Sequence, residues 1–400
     1  MNLFKSIFTP TGNSHRTFAI MVLVTFSSTL LVHYKMTTRN KSAVKTNLQV
    51  KSVPARNNHP TKEKRKPNNP KTYLVTWYDM ITFLQKRPWA TSANFSVCDY
   101  NNCKISRNKS LASKSDVVLF QGRILPTTLR FKRPNGQIWV FVEVEPPTII
   151  ERLSQNKTKF GVEKFKHEFN WTMTYDKKLA DIHLPYGELR KHKMYVDKNY
   201  TDIALNKTKG GLIVVSHCPV DSKRLDYIKE LQETIDVTVL GACGTKWNCG
   251  RRMFHDDCFS ILNGEYAYYL AFENSLCHQY YTEKLYENFK YNTLFVTRAG
   301  LPYESTSFFP KGTVIDHDAF LSPQDLGKEL KGIMENKKEY ARRLAIKSQY
   351  YSIDFRESYQ RALCDLCYRL NHQDQFYKTI PDVLQVLTKK HSCRDGKDRT

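Results

Sequence analysis

Short apolar runs alternate with amphipathic segments from Lys71 to about Cys367, and that alternation limits the fold more than any other feature of the 400-residue chain. "TYLVTWY", "DVVLFQG", "IWVFVEVEPP", "LIVVSH" and "VTVLGA" read as short buried strands. "DSKRLDYIKELQE" and "PQDLGKELKGIMENKKEYARRLAIKSQ" read as amphipathic helices. Strand and helix in alternation predict parallel α/β sheets. Two Rossmann-like lobes split near Lys207 to Gly211 fit the length, and ligands in such folds gather at the carboxyl ends of the strands. Neither GxGxxG nor GxxxxGK[ST] occurs, so neither a dinucleotide site nor a P-loop is indicated. With 40% apolar and 12% aromatic residues, the chain can bury real cores and is not a disordered protein.

The net charge of +23 suggests an anionic partner, but much of it is concentrated before the folded part. Residues 35–71 carry eleven Lys/Arg against the single Glu63, lack apolar periodicity and cannot bury a core. They read as a disordered basic stem over 35–70. Before it, the uncharged run "TFAIMVLVTFSSTLLVHY", residues 17–34, is long enough to span a bilayer as a helix, leaving 1–16 as a short tail. The run exceeds the apolar region of a cleaved signal peptide, and no small-x-small site closes it. Lys5 and Arg16 precede the span and Lys35, Arg39, Lys41 and Lys45 follow it, so the positive-inside count alone favours a cytoplasmic catalytic part.

Sequons and cysteines argue the other way. Asn-x-Ser/Thr occurs at Asn40, Asn94, Asn108, Asn156, Asn170, Asn199 and Asn206, and all ten cysteines follow the span. Together they indicate a lumenal or extracellular compartment with disulfides. Asn40 lies too close to the span for a membrane-associated transferase to reach it, so the glycosylation candidates are the other six. "CDLC" has no second close metal-ligand pair, which favours disulfides over zinc.

"YLAFENSLCHQYYTEKL", residues 269–285, raises a separate question, because an apolar strand there ends in acids, bases, tyrosines and a cysteine. If Thr282 caps a helix, Glu283 and Lys284 fall in the first turn, where the backbone already favours an anion. A diphosphate suits that place, with Lys284 toward phosphate, Glu283 toward ribose hydroxyls and Tyr280 within one turn of both. Spacing alone equally allows a solvated Glu–Lys pair at a helix start.

The wording of that stretch resembles the donor-binding signature of the α1,3-fucosyltransferases, FYLxFENSxxxDYxTEK. "FNWTMTYDKKLADIHLPYG" resembles the family's FNxTMxYRxDSDIxxPYG, "IWVFVEVEPP" its WxxxNxExP, "LIVVSHCPVDSKRLDYIKEL" its VxSNCxxxxxRxxYxxxL, and "AFLSPQDLGKEL" its DFxSPxxLAxYL. These blocks keep their order over roughly residues 71–370, and "LGACGTKWNC" is nearer to the invertebrate members. The resemblance implies a type II Golgi membrane protein with a GT-B fold, an acceptor-side lobe over 71–208, and a GDP-fucose-binding lobe with a C-terminal return helix over 209–370. A C-terminal extension then covers 371–400. It implies Glu145 as general base of an inverting transfer to a glycan on glycoprotein, and donor-binding roles for Ser216, Arg224, Tyr269, Asn274, Tyr280, Glu283 and Lys284. No cofactor is essential, a divalent metal being at most stimulatory, and no nucleic acid is a partner.

Inverting transfer needs one carboxylate to take the proton of the attacking hydroxyl and cations to stabilise the departing diphosphate. Strand alternation puts Glu143 on the same face as Glu145, and the residues alone do not choose between them. Cys98 and Cys103 are implied to join Cys364 and Cys367, in an order the sequence leaves open, with the final helix crossing back onto the first lobe. Cys218 and Cys277, each following a strand at the proposed cleft, are a candidate further bridge. Two rival readings stand. Asp316 and Asp318 form a DxD after a short apolar strand, a pattern that can hold Mg²⁺ or Mn²⁺. The chain also departs from the family pattern at His217, at Gln279, at "YDKKLAD" in place of YRxDSD, and at the strand "TLFVTRAG". A catalytically degenerate family member or a basic glycan-binding ectodomain is therefore the non-enzymatic alternative.

Overall fold

A computed structural model describes residues 71–154, 161–194, 198–247, 256–302, 304–388 and 393–397. The proposed tail, span and stem, with Asn40 and Asn156, lie outside the described residues; among those described, no helix is long and apolar enough to cross a membrane.

Six parallel strands build the first lobe: β1 (Tyr73–Asp79), β2 (Cys103–Ser106), β3 (Val117–Gln121), β4 (Ile138–Glu143), β5 (Trp171–Thr174) and β6 (Ile182–His183), in the order β2-β1-β3-β4-β5-β6. Both faces are covered, which is why β3 and β4 are continuous apolar runs rather than alternating ones. Val75, Trp77, Leu119, Val140 and Val142 pack on one face, and Tyr78, Val118, Phe120, Trp139 and Phe141 on the other. A short strand, β7 (Glu188–Lys191), follows.

The second lobe is a five-stranded parallel sheet of order β13-β12-β10-β8-β9, from β8 (Lys209–Val214), β9 (Val237–Leu240), β10 (Tyr266–Phe272), β12 (Leu294–Arg298) and β13 (Ile315–Asp316). The amphipathic helices Pro323–Glu335 and Lys337–Ser348 bury Leu326, Leu330, Ile333, Tyr340 and Leu344 against it. Ser322 and Asn336 cap these helices by accepting the N–H of Asp325 and Glu339. The sheet begins at Lys209, inside the expected split.

After the second sheet the chain returns. β14 (Tyr350–Ile353) pairs antiparallel with β7, and the 17-residue helix Phe355–Asn371 buries Phe355, Tyr359, Leu363, Leu366 and Leu370 in the first lobe's core. Residues 371–388, expected as an extension, lie against that lobe as well. Its outer face carries Phe120, Trp139 and Phe141, and Ile380, Val383 and Leu387 cover it. Trp171 Nε1 donates to the Phe376 carbonyl at 2.8 Å.

Two bridges pin the return helix, Cys98–Cys364 and Cys103–Cys367, closing separations of 266 and 264 residues. The expected Cys218–Cys277 bridge does not form. β8 and β9 are neighbours, so the loops after them meet and Cys218 joins Cys243. Cys277 instead lies in β11 (Leu276–Cys277), which pairs with β15 (Cys393–Arg394) in a register that places Cys277 opposite Cys393, its disulfide partner.

The sequon at Asn170 also needs correction. Its side chain is buried, accepts from the Trp139 N–H at 2.9 Å and from Arg133 Nη2 at 2.6 Å, and donates to the Lys378 carbonyl at 2.7 Å, leaving no room for a glycan. Asn94, Asn108, Asn199 and Asn206 are exposed. The first three cap local turns through Oδ1.

Candidate active site

β10 is buried along its whole length and is followed directly by Glu273, which is only 1% exposed. A buried carboxylate needs partners, and the polar residues that follow supply them. Glu273 Oε1 accepts from the Thr282 N–H at 2.9 Å and the Thr282 hydroxyl at 2.8 Å, and Oε2 lies 2.8 Å from Lys284 Nζ. Thr282 caps the short helix Glu283–Tyr286, as its spacing indicates, and Lys284 lies 3.4 Å from Glu283 Oε1. Burial alone would lower the Lys284 ammonium, but Glu273 and Glu283 outweigh it and hold the group above its ordinary range. The strand thus ends in polar chemistry because a buried acid must organise the loop that carries Lys284. Sequence spacing gives Glu273 no role, although it directly follows the apolar run and is the Glu of the quoted "FENS".

Arg224 begins the helix Arg224–Leu231 and is 3% exposed. Its guanidinium donates to the carbonyls of Phe272 at 2.9 Å and His217 at 3.1 Å, so it spans the ends of β10 and β8. Its buried Nε–H and the buried Asn274 Oδ1 have no hydrogen-bond partner among the described residues. Ser216 lies just past β8, half-buried, and Tyr269 is buried in β10 with its ring against Phe259 and Phe295.

Across the cleft, the two candidate glutamates separate. Glu143 ends β4 and is saturated: it accepts from the N–H groups of Arg123, Val144 and Glu145 at 2.8, 2.9 and 2.9 Å and from Gln121 Nε2 at 3.2 Å. Glu145 lies beyond the strand, where alternation no longer governs direction, and its side chain is 20% exposed. Arg123 Nη1 donates to its Oε1 at 3.0 Å, and the Tyr280 hydroxyl, from the second lobe, donates to Oε2 at 3.2 Å. Burial pushes the Glu145 carboxyl above the ordinary carboxylate range, with Arg123 opposing. Tyr280 is wedged edge-on against Tyr175 and Tyr186, and Tyr186 donates to the Val144 carbonyl at 3.1 Å. Arg123 is a site neighbour with no distinguishing pattern in the sequence, and Tyr186, the Tyr of the quoted "PYG", is one that its motif marks without giving it a role.

A cavity of about 830 Å³ opens between the lobes, lined by Tyr269, Glu283 and Lys284 on one side and by Arg87 and Trp89 on the other. The structure therefore places Tyr269, Glu283 and Lys284 on one cavity, brings Tyr280 to Glu145 across the lobes, and sets Ser216, Arg224 and Asn274 at the strand ends beside them.

The DxD lies elsewhere. Asp316, His317 and Asp318 are buried, with potential ligand atoms within 4.8 Å of one another. Arg394, carried by β15, donates to both oxygens of Asp318 at 2.9 and 2.8 Å. A cation thus already occupies the carboxylate that a divalent ion would need. The unusual Arg298 of "TLFVTRAG" is 1% exposed, lies over the Tyr227 ring at 4.8 Å and donates to the Gly396 carbonyl at 3.0 Å. Gly396 packs on the Ser222 backbone, where an added Cβ would come within 2.3 Å.

Two parallel α/β lobes closing on a charged cleft define a GT-B-like protein. Residues 68–187 match the family described as "Fucosyltransferase, N-terminal" and residues 204–386 match "Glycosyltransferase family 10 (fucosyltransferase) C-term"; the chain belongs to this α1,3-fucosyltransferase family. It is 30% identical over 312 residues to α-(1,3)-fucosyltransferase C of Drosophila melanogaster, covering 71% of this chain and 69% of that protein. It is 32% identical over 237 residues to glycoprotein 3-α-L-fucosyltransferase A of the same fly, covering 58% of this chain but only 44% of that protein, less than half its length. A crystal structure of an α1,3-fucosyltransferase with GDP aligns with a TM-score of 0.49 at 12% identity, over 79% of this chain and 94% of that one.

Proposed function

We propose that the chain transfers L-fucose from GDP-fucose, with inversion, in α1,3 linkage to a GlcNAc residue of a glycoprotein glycan, and that Glu145 is the general base. The observation that carries this reading is the Glu145 carboxyl at the lobe junction, desolvated, steered by Arg123 and met from the other lobe by Tyr280. A carboxylate whose proton affinity is raised by burial is a better proton acceptor than an ordinary one. Lys284 and Arg224 would stabilise the departing diphosphate, Glu283 would accept ribose hydroxyls, and Ser216, Asn274 and Tyr269 would complete the donor site. The family and the printed names of the relatives support fucose transfer. Residues 17–34 would anchor the chain as a type II Golgi membrane protein with its catalytic part lumenal, in keeping with the bridges and exposed sequons.

Charge on the leaving group would come from side chains, so no metal is required. Transfer should survive EDTA, and Asp316→Asn should change turnover little, because Asp318 is already neutralised by Arg394. Steady-state assays with and without chelator check this. Complete loss in EDTA, restored by Mn²⁺, would favour the DxD as a metal site instead.

A further inference from the structure

We infer that His278 is a positioning residue that ties the two lobes together and so holds Tyr280 against Glu145. Asp176 follows β5 in the first lobe, and Glu304 opens the helix Glu304–Phe308 in the second. The His278 ring lies between them, with Nδ1 2.9 Å from Asp176 Oδ2 and Nε2 3.3 Å from Glu304 Oε1. Nδ1 is hydrogen-bonded to Asp176, and the other ring nitrogen lies within ion-pair distance of Glu304, so one side chain contacts both lobes. The three side chains are 13%, 5% and 12% exposed, so salt screens the contact little.

A second bond crosses the same gap. The Lys177 N–H donates to Gln279 Oε1 at 3.2 Å, while the Gln279 N–H donates to Glu304 Oε2 at 2.9 Å. Gln279 is held in the left-handed region at φ 54°, a conformation that a long side chain adopts at a cost and that these bonds offset. Glu304 also accepts the Leu301 N–H at 3.0 Å, and Asp176 accepts the Lys178 N–H at 2.8 Å, so both carboxylates are fixed before the imidazole reaches them. Tyr280 is two residues along and rests on Tyr175, next to Asp176.

The departures from the family pattern gain a physical sense here. Asp176 stands where the pattern has Arg, and Gln279 where it has Asp; the structure sets these two segments against each other. The substitutions are therefore coupled parts of one contact, not independent decay of a site. The other titratable groups facing the imidazole do not compete for its role. Tyr175, near both carboxylates, and Tyr281, near Glu304, are kept protonated by burial. Lys177 and His183 lie beside Asp176, and Arg394 reaches the Gly300 carbonyl on the far side of Glu304.

The tie rests on geometry alone; only its kinetic consequence rests on the proposed transfer. It is tested by hydrogen–deuterium exchange on the full-length protein, comparing wild type with Asp176→Asn, His278→Gln and the double variant. Thermal unfolding serves as the folding control. Each single variant should loosen residues 174–179 and 276–282 together, about tenfold, and the double variant no further than either single one. If His278→Gln does not fold, Asp176→Asn reads the same tie. Loosening confined to the mutated lobe overturns the inference. In transfer assays the variants should lower kcat and leave GDP affinity unchanged. A wild type that transfers nothing would refute the proposed function while the exchange data still decide the tie.

Discussion

Glu145→Gln should lower fucose transfer by about 10²–10⁴-fold while leaving GDP affinity nearly unchanged, the usual contribution of a positioned general base. The amide keeps the volume of the carboxyl between Arg123 and Tyr280 but cannot take a proton. Single-turnover kinetics with calorimetric GDP titration separate the two effects. The pH dependence follows from the same site. Burial raises the Glu145 carboxyl, and a base works only when deprotonated, so activity should fall as pH drops through a value above the ordinary carboxylate range of about 4.3. Arg123 opposes that rise, so Arg123→Met should move the acid limb to higher pH still. Glu143→Gln is the contrasting variant: Glu143 is occupied by three backbone N–H groups, so its loss should appear in unfolding, and because its charge helps to raise Glu145, the acid limb should move to lower pH. Turnover in Glu145→Gln comparable with wild type would remove Glu145 as the base.

Cys364→Ser together with Cys367→Ser should cost the largest stability of any surface-preserving change. Each bridge closes a loop of more than 260 residues, about 5–6 kcal/mol in the chain-entropy description. The pair should cost less than twice that, because the second bridge closes a loop the first has already closed. The helix Phe355–Asn371 would then rely on its apolar face, Phe355, Tyr359, Leu363, Leu366 and Leu370 among it, to stay on the first lobe. Denaturant unfolding measures the loss. Non-reducing peptide mapping should give Cys98–Cys364, Cys103–Cys367, Cys218–Cys243 and Cys277–Cys393; a Cys364–Cys367 link would contradict the cross-lobe return.

The sheets were legible because a strand covered on both faces must be apolar throughout, and "VVLF" and "IWVFV" have no other ready interpretation. The cap at Thr282 was legible because capping depends on a few neighbouring residues. What depends on distant chain was not. Cys277 was assigned to Cys218 from nearness to one cleft, whereas its partner arrives on a strand 116 residues later. The same segment brings Arg394 to Asp318, which no local pattern announces. Asn170 has a valid sequon, yet its amide serves Trp139 and the returning chain at Lys378. Glu143 and Glu145 could not be told apart because strand alternation was applied one step past the end of β4, where the chain turns into the helix Pro147–Ser154. Arg123, Tyr186 and Glu273 matter through the groups they touch, Glu145, Tyr280 and Lys284 in turn, and sequence spacing does not encode those contacts.

Incubation of the purified full-length protein with labelled GDP-fucose and a panel of GlcNAc-containing acceptors tests the central claim most directly. The panel comprises N-glycan core, LacNAc, LacdiNAc and free glycans. The expected result is fucose on at least one acceptor, in α1,3 linkage by nuclear magnetic resonance, abolished in Glu145→Gln and retained in EDTA. GDP-fucose that binds at the Lys284 and Arg224 site but is transferred to none of them would contradict it, leaving a fucosyltransferase fold that binds without turning over.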